Sequence, residues 1–339
     1  MPAPTFRLDF SNTPQRQQLD RANGNSFPDR QIGLPCTGTL TFPSSSHKFT
    51  SANLIDKGEI GRGMYGTVNR MVHQETGNEV AVKRIAATTV NTDDRKRLEM
   101  ELRTISACDD CENIVKCYGA IFAEGCCWIC MEVLDISLER LYKDVYAKNQ
   151  ILPENLVGCI AISTVNALNY LKHKNIIHRD VKPSNVLLDG KGSIKLCDFG
   201  IAGCLVDSIA RTRDVGCRPY MAPERLSEGK YDVRADVWSL GITLVEICTG
   251  RFPYASWATP FEQVDVVVNG DPPLMTSDSK YSIELISFVN QCLVKDKSSR
   301  PKYDDLIKEK FYHKYNNTIS DPSQRDFVGH FVQSILEEE

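Results

Sequence analysis

Four side chains able to act on a phosphate stand close together in this chain. They lie in His178-Arg179-Asp180-Val181-Lys182-Pro183-Ser184-Asn185 and in the following Asp198-Phe199-Gly200. Phosphoryl transfer asks for little covalent chemistry, but it requires a positioned hydroxyl and neutralised phosphate charge. Asp180 can accept a hydrogen bond from an attacking hydroxyl, and Lys182 can meet the transferring phosphate. Asn185 and Asp198 supply the hard oxygen donors that Mg²⁺ takes.

Such groups need a scaffold that also holds a nucleotide. Gly61-Arg62-Gly63-Met64-Tyr65-Gly66-Thr67-Val68 joins two strand-like runs, where glycines let backbone amides approach phosphates without an intervening side chain. A dinucleotide site would need strand, turn and helix instead. Val80-Ala81-Val82-Lys83 reads as a further strand that offers Lys83 to the α- and β-phosphates. These segments together resemble the protein-kinase signature set. The resemblance implies an α+β, bilobal fold with a β-rich N-lobe and a mainly helical C-lobe, ATP as phosphoryl donor, and Mg²⁺.

The resemblance also demands a glutamate on a helix to hold Lys83. Leu98, Leu102 and Ile105 share one face of a predicted helix over 93–107, with Glu101 at its margin. A carboxylate there is costly unless paired, and Lys83 supplies the pair; Glu99 points away. By resemblance, Met131 stands behind the adenine and the backbone of Glu132 to Leu134 bonds it. Nucleotide contacts are therefore expected from Gly61, Arg62, Gly63, Met64, Tyr65, Gly66, Val68, Ala81, Lys83, Met131, Glu132 and Leu134. The resemblance also implies that Ala222-Pro223-Glu224 closes the activation segment, that Arg300 is the ion-pair partner of Glu224, and that Asp236 is a structural carboxylate under the catalytic loop.

Between Asp198 and Glu224, the stretch Ser208-Ile209-Ala210-Arg211-Thr212 has S-x-x-x-T spacing, followed by Gly216-Cys217-Arg218-Pro219-Tyr220-Met221. This resembles the mitogen-activated protein (MAP) kinase kinases, and Cys217 resembles their stress-activated branch, which acts on Jun N-terminal kinases and related enzymes. The likeness implies regulatory phosphorylation of Ser208 and Thr212 by an upstream MAP kinase kinase kinase. It also implies transfer to Thr and Tyr of a downstream MAP kinase. Lys182 after Asp180 is typical of Ser/Thr kinases, so dual action rests on the likeness alone. A pseudokinase scaffold is disfavoured because Lys83, Asp180, Asn185 and Asp198 are all intact. A Ser/Thr kinase outside the cascade is disfavoured by the Ser208 to Met221 stretch.

The chain has 339 residues, 42% hydrophobic and 25% charged, enough for a bilobal enzyme with tails. A net charge of −4 gives no reason to expect nucleic acid or an anionic membrane as partner. No run of about 18 apolar residues suggests a membrane span. Thirteen cysteines at irregular spacing suit reduced thiols. Cytoplasmic residence follows as an expectation, with the nucleus as a second compartment.

Three divisions are expected. Residues 1–48, polar and proline-rich, read as a disordered tail in which Phe6, Leu8 and Phe10, with Arg7, form a docking segment for the MAP kinase. Residues 49–312 form the kinase domain, with lobes at 49–132 and 135–312. Residues 313–339 carry an amphipathic helix with Phe327, Val328, Phe331, Val332, Ile335 and Leu336 on one half. Gly329, His330, Gln333 and Ser334 fall on the other half, and the likeness implies docking of the upstream kinase there.

Overall fold

The computed structural model describes residues 36–63, 66–86, 108, 110–198, 218–227, 231–254, 257, 259–277, 279–319 and 321–337. These residues form two compact units, one β-rich and one mainly helical, as the α+β expectation requires.

The β-rich unit is an antiparallel five-stranded sheet in the order β3-β4-β5-β7-β6. Its strands are β3 (Leu54–Gly63), β4 (Gly66–His73), β5 (Glu79–Ala86), β6 (Cys117–Ala123) and β7 (Cys126–Met131). Alternation puts Val80 and Val82 of β5 into the core with Leu54, Met71, Ile121, Trp128 and Cys130. Lys83, between Val82 and Arg84, is then carried on the opposite face, and β5 is covered there too, since Ala81 and Lys83 are also buried.

The expected disordered tail over 1–48 is corrected at its end. β1 (Gly38–Phe42) and β2 (Ser45–Phe49) form an antiparallel hairpin across Pro43-Ser44. Leu40, Phe42 and Phe49 are buried in the same core, and the Phe42 ring meets Tyr118 at 5.0 Å between centroids. A two-residue period of threonine against Leu40 and Phe42 is a strand pattern. It is too short to change the polar composition of a 48-residue window. Order therefore begins by Gly38 and not near Phe49; Phe6, Leu8 and Phe10 lie outside the described residues.

The helical unit opens with the short strand β8 (Ile136–Ser137), whose Ser137 hydroxyl caps α1 (Leu138–Ala147) by accepting from Arg140 N at 3.2 Å. Helix α2 (Glu154–His173) follows, then β9 (Val186–Leu188) and β10 (Ile194–Leu196), which complete a three-stranded antiparallel sheet with β8. α3 (Arg234–Thr249) is buried on every face from Ala235 to Cys248 and ends at Gly250. A helix buried all round is a central element, not an amphipathic surface one. α4 (Ile283–Cys292), α5 (Lys310–Ile319) and α6 (Pro322–Glu337) complete the unit. No described helix is long and apolar enough to cross a membrane.

On α6 the expected apolar half is present, with Val328, Val332 and Ile335 buried and Phe327, Phe331 and Leu336 half-buried. Gly329, however, is buried and not on the polar side. A Cβ there would lie 2.6 Å from Gly190 O in the turn joining β9 to β10. The helix approaches that backbone so closely that only glycine fits, which hydrophobic patterning does not register. Gln333 Nε2 donates to Gly190 O at 3.3 Å, and Arg325 pairs with Glu112 at 2.6 Å.

Two outcomes follow for stability. Leu40→Ala removes a fully buried side chain and should cost about 2–5 kcal/mol, read as a lower thermal midpoint; an unchanged midpoint would remove the hairpin from the folded unit. Gly329→Ala would gain about 1 kcal/mol on an exposed helix, but against Gly190 it should instead lose about 1–3 kcal/mol. Stabilisation by Gly329→Ala in chemical denaturation would contradict the close approach.

Candidate active site

In the β-rich unit, the glycine-rich segment is the β3–β4 hairpin. Gly61 pairs with Val68, Arg62 with Thr67 and Gly63 with Gly66, which brings the strands together at the turn. Met64 and Tyr65, at its tip, lie outside the described residues. Gly66 has φ +151°, and a Cβ there would fall 1.9 Å from Arg84 O, so both conformation and space demand glycine. Lys83 is paired between Val68 and Ile129 and is 5% exposed, a setting a lysine rarely takes without a partner. Glu101, its expected partner, lies outside the described residues, so that pairing is not described.

Ala81 pairs with Met131 across β5 and β7. The next residue, Glu132, is fixed at both ends. Its N–H donates to Lys116 O at 3.0 Å, and its Oε1 accepts from Lys116 N at 2.7 Å. The chain after β7 is thereby held at the position where the sequence placed the adenine-binding backbone. Leu134, half-buried, begins the helical unit.

In the helical unit the remaining residues converge. Asp180 Oδ2 lies 2.8 Å from Lys182 Nζ and accepts from Asn185 Nδ2, also at 2.8 Å. The same Asn185 nitrogen donates to Asp180 O at 2.7 Å. The carboxylate is thus held by a cation and an amide, with its side chain 13% exposed. Because Asn185 turns its nitrogen toward Asp180, its oxygen is the end turned away.

Asp198 reaches this cluster through main-chain bonding. Cys197 N donates to Asn185 O at 2.9 Å, immediately before Asp198. His178, 1% exposed, ties the same two stretches: its Nε2 meets Cys197 O at 3.0 Å and its Nδ1 accepts from Asp180 N at 3.2 Å. These partners require a neutral ring protonated on Nε2, and burial lowers the His178 pKa in the same direction. Arg179 and Asp198 both have left-handed backbone, at φ 72° and 62°. Strain at non-glycine residues on both sides of Asp180 and Asn185 persists only where neighbours over-determine it.

Asp236, in the first turn of α3 and 1% exposed, over-determines the first of them. Its two oxygens accept from His178 N and Arg179 N, both at 2.8 Å, and Tyr303 O–H donates at 3.3 Å. The Glu224–Arg300 pair expected from sequence is bidentate, at 2.8 and 3.1 Å. Arg300 places its remaining N–H bonds on the carbonyls of Val294, Arg234 and Lys295. All five guanidinium donors are satisfied, which a buried arginine requires.

Sequence reasoning did not single out the His178–Cys197 tie, or Glu246, which α3 buries between Tyr142 and Tyr220. One signal for Glu246 was available, the only charge after Asp236 in a mainly apolar stretch of the helix. Its tyrosine partners come from distant parts of the chain and carry no signal. Ser208 and Thr212 lie outside the described residues. Among those described, no three His, Cys, Asp or Glu side chains converge as a metal site. Asn185 and Asp198 alone suit Mg²⁺, which commonly takes one or two protein ligands alongside substrate phosphates.

The protein kinase domain family matches residues 54–312. The chain is 56% identical to MAP kinase kinase mkk-4 of Caenorhabditis elegans over 304 residues, 86% of this chain and 84% of that protein. It is 43% identical to the dual specificity MAP kinase kinase sek-1 of the same organism, covering 91% and 92%. It is 42% identical to the dual specificity MAP kinase kinase hemipterous of Drosophila melanogaster, covering 86% of this chain and 25% of that protein. With the glycine-rich hairpin, the buried strand lysine and the Asp180–Lys182–Asn185 cluster in place, the chain is an ATP-dependent protein kinase and belongs to the MAP kinase kinase family.

Proposed function

We propose that this kinase transfers the γ-phosphate of ATP to Thr and Tyr in the activation loop of a stress-activated MAP kinase, of the Jun N-terminal type or a related one. The observation that carries the chemistry is the carboxylate of Asp180, 2.8 Å from both Lys182 Nζ and Asn185 Nδ2. In this reading Asp180 accepts the hydrogen bond of the incoming hydroxyl and orients its oxygen for in-line attack. Lys182 then meets the charge that develops on the transferring group. Lys83, for which Glu101 is the proposed partner, and the amides of the glycine-rich hairpin would bind the phosphates. Asn185 and Asp198 would hold Mg²⁺, which when bound neutralises phosphate charge. The Met131 to Leu134 backbone would receive the adenine.

The branch reading rests on the likeness of the Ser208 to Met221 stretch. Ser208 and Thr212 are the proposed acceptors of phosphate from an upstream MAP kinase kinase kinase. Each phosphate would bring about −1.5 to −2 charge, which can order a loop by pairing with arginines. Arg179, one residue before Asp180, is the proposed receptor. Phe6, Leu8 and Phe10 are proposed to capture the MAP kinase, and α6 to engage the upstream kinase. Cytoplasmic action, with access to the nucleus, fits these partners.

Purified protein, activated upstream and supplied with ATP and Mg²⁺, should phosphorylate both Thr and Tyr of a Jun N-terminal kinase in a panel of MAP kinases. Transfer to none of the panel would defeat the reading. Asp180→Ala should lower kcat by about 10²–10⁴-fold with an unchanged fold; undiminished turnover would remove Asp180 as the base.

Ser208→Ala with Thr212→Ala should stay inactive after upstream treatment, while the paired Asp replacements activate only in part because they carry less charge. Full activation of the double-alanine protein would exclude the loop switch. Phe327→Ala with Phe331→Ala removes two half-buried rings that lie 6.4 Å apart. It should impair activation by the upstream kinase but spare the acidic-loop protein. Normal upstream activation would leave α6 a purely structural helix.

A further inference from the structure

The β1–β2 hairpin is a two-stranded sheet of its own, separate from the five-stranded sheet it packs on. A two-stranded hairpin is marginal by itself in water. Burial must therefore hold it, through Leu40, Phe42 and Phe49 packed with Val80, Val82 and Trp128. The seam is close where it crosses β6, since a Cβ on Gly119 would fall 2.3 Å from Thr39 O.

One part of this seam is not apolar. His73, the last residue of β4, is fully buried, and its ring centroid lies 6.3 Å from that of Phe42. His47 of β2 faces it at 5.7 Å between centroids and lies 6.4 Å from the same Phe42 ring. His73 Nδ1 meets Thr76 Oγ1 at 3.0 Å, whereas Nε2 is buried with no hydrogen-bond partner. An imidazolium carries two N–H donors, and here the second would have no acceptor.

Few charged or titratable groups bear on His73. β2 brings His47, while the neighbouring Lys48 is exposed. The β4–β5 turn brings Glu75, whose Oε2 is 4.0 Å from His47 Nδ1. β1 has no ionisable side chain, and β6 brings the phenol of Tyr118, which meets Phe42 at 5.0 Å. On β3 the residue opposite His73 is Leu54, and Glu79 of β5 pairs with Arg70. Burial holds the His73 pKa below the ordinary histidine value; Glu75 opposes this and His47 adds to it.

We propose that the two histidines make the hairpin a pH-sensitive strap, in which protonation of His73 against His47 loosens its hold on the sheet. The imidazolium reaches water only when β1 and β2 move off, so the proton favours the open form. Because the closed form depresses the pKa, the open form binds more protons below about pH 6.5. The hold is full above that pH and is lost as pH falls below it toward the depressed value.

Hydrogen exchange of the full chain, corrected for the intrinsic effect of pH, reads opening of the hairpin over Gly38–Phe49. Between pH 7.5 and 5.5 its opening equilibrium should rise several-fold, to a limit of about tenfold for one proton. α3 should stay protected over the same range. His73→Phe keeps a ring but cannot titrate, so its hairpin should be equally protected at both pH values. If His73→Phe does not fold, His73→Asn supplies a neutral side chain for the same comparison. His47→Gln should shrink the change, because His73 then protonates without a facing cation. The inference is overturned if the unaltered hairpin is equally protected at both pH values, or if the loss persists in the His73 variant. A loss shared equally by α3 reports general acid unfolding and overturns it too, as does an undiminished loss in His47→Gln.

Discussion

Asp236 accepts from His178 N and Arg179 N at once, and the catalytic loop takes its shape from that pair of bonds. A carboxylate this deeply buried is expensive, and two features offset the cost. It lies in the first turn of α3, where the helix dipole favours negative charge, and it accepts from Tyr303 as well. In return it holds Arg179 in left-handed backbone, so that Asp180 leaves the loop in a fixed direction. Lys182 and Asn185 then meet a carboxylate that is already placed, and the preorganisation on which electrostatic catalysis depends lies in the scaffold.

The same helix distributes order to the rest of the large unit through buried polar groups. Asp236 faces the catalytic loop, Ser239 and Glu246 face the turn at Tyr220, and Arg234 O accepts from Arg300. Arg300 in turn grips Glu224. Each group is satisfied by partners far away in sequence, which makes the arrangement specific as well as stable. Apolar packing alone would tolerate small slips of these elements; paired hydrogen bonds on one carboxylate do not.

Much of the site could be read directly. Asp180, Lys182, Asn185 and Asp198 sit in short local motifs, and their spacing is itself a geometric statement about one loop and one following hairpin. The strand-like runs flanking the glycine-rich turn and the strand at Val80 to Lys83 were legible from their short apolar pattern, and β3, β4 and β5 occupy them. The β1–β2 hairpin was missed because Leu40 and Phe42 are two residues in a long polar stretch, and only their burial on β6 and β7 residues reveals them. Gly329 was placed on the wrong face because patterning scores side-chain polarity, while its position is set by how near another backbone comes.

Sequence by itself determined the kind of chemistry, the family, the order of elements and the Glu224–Arg300 pair, since each follows from residues whose identity is tied to a motif. Tertiary structure alone decided the tautomer of His178, the seat of α6 against Gly190, and the closure of Glu246 between Tyr142 and Tyr220. Those depend on groups separated by 19 to 143 residues meeting at hydrogen-bond distance. Such meetings leave no periodicity in the chain, because hydrogen bonds constrain positions in space and not intervals along the sequence.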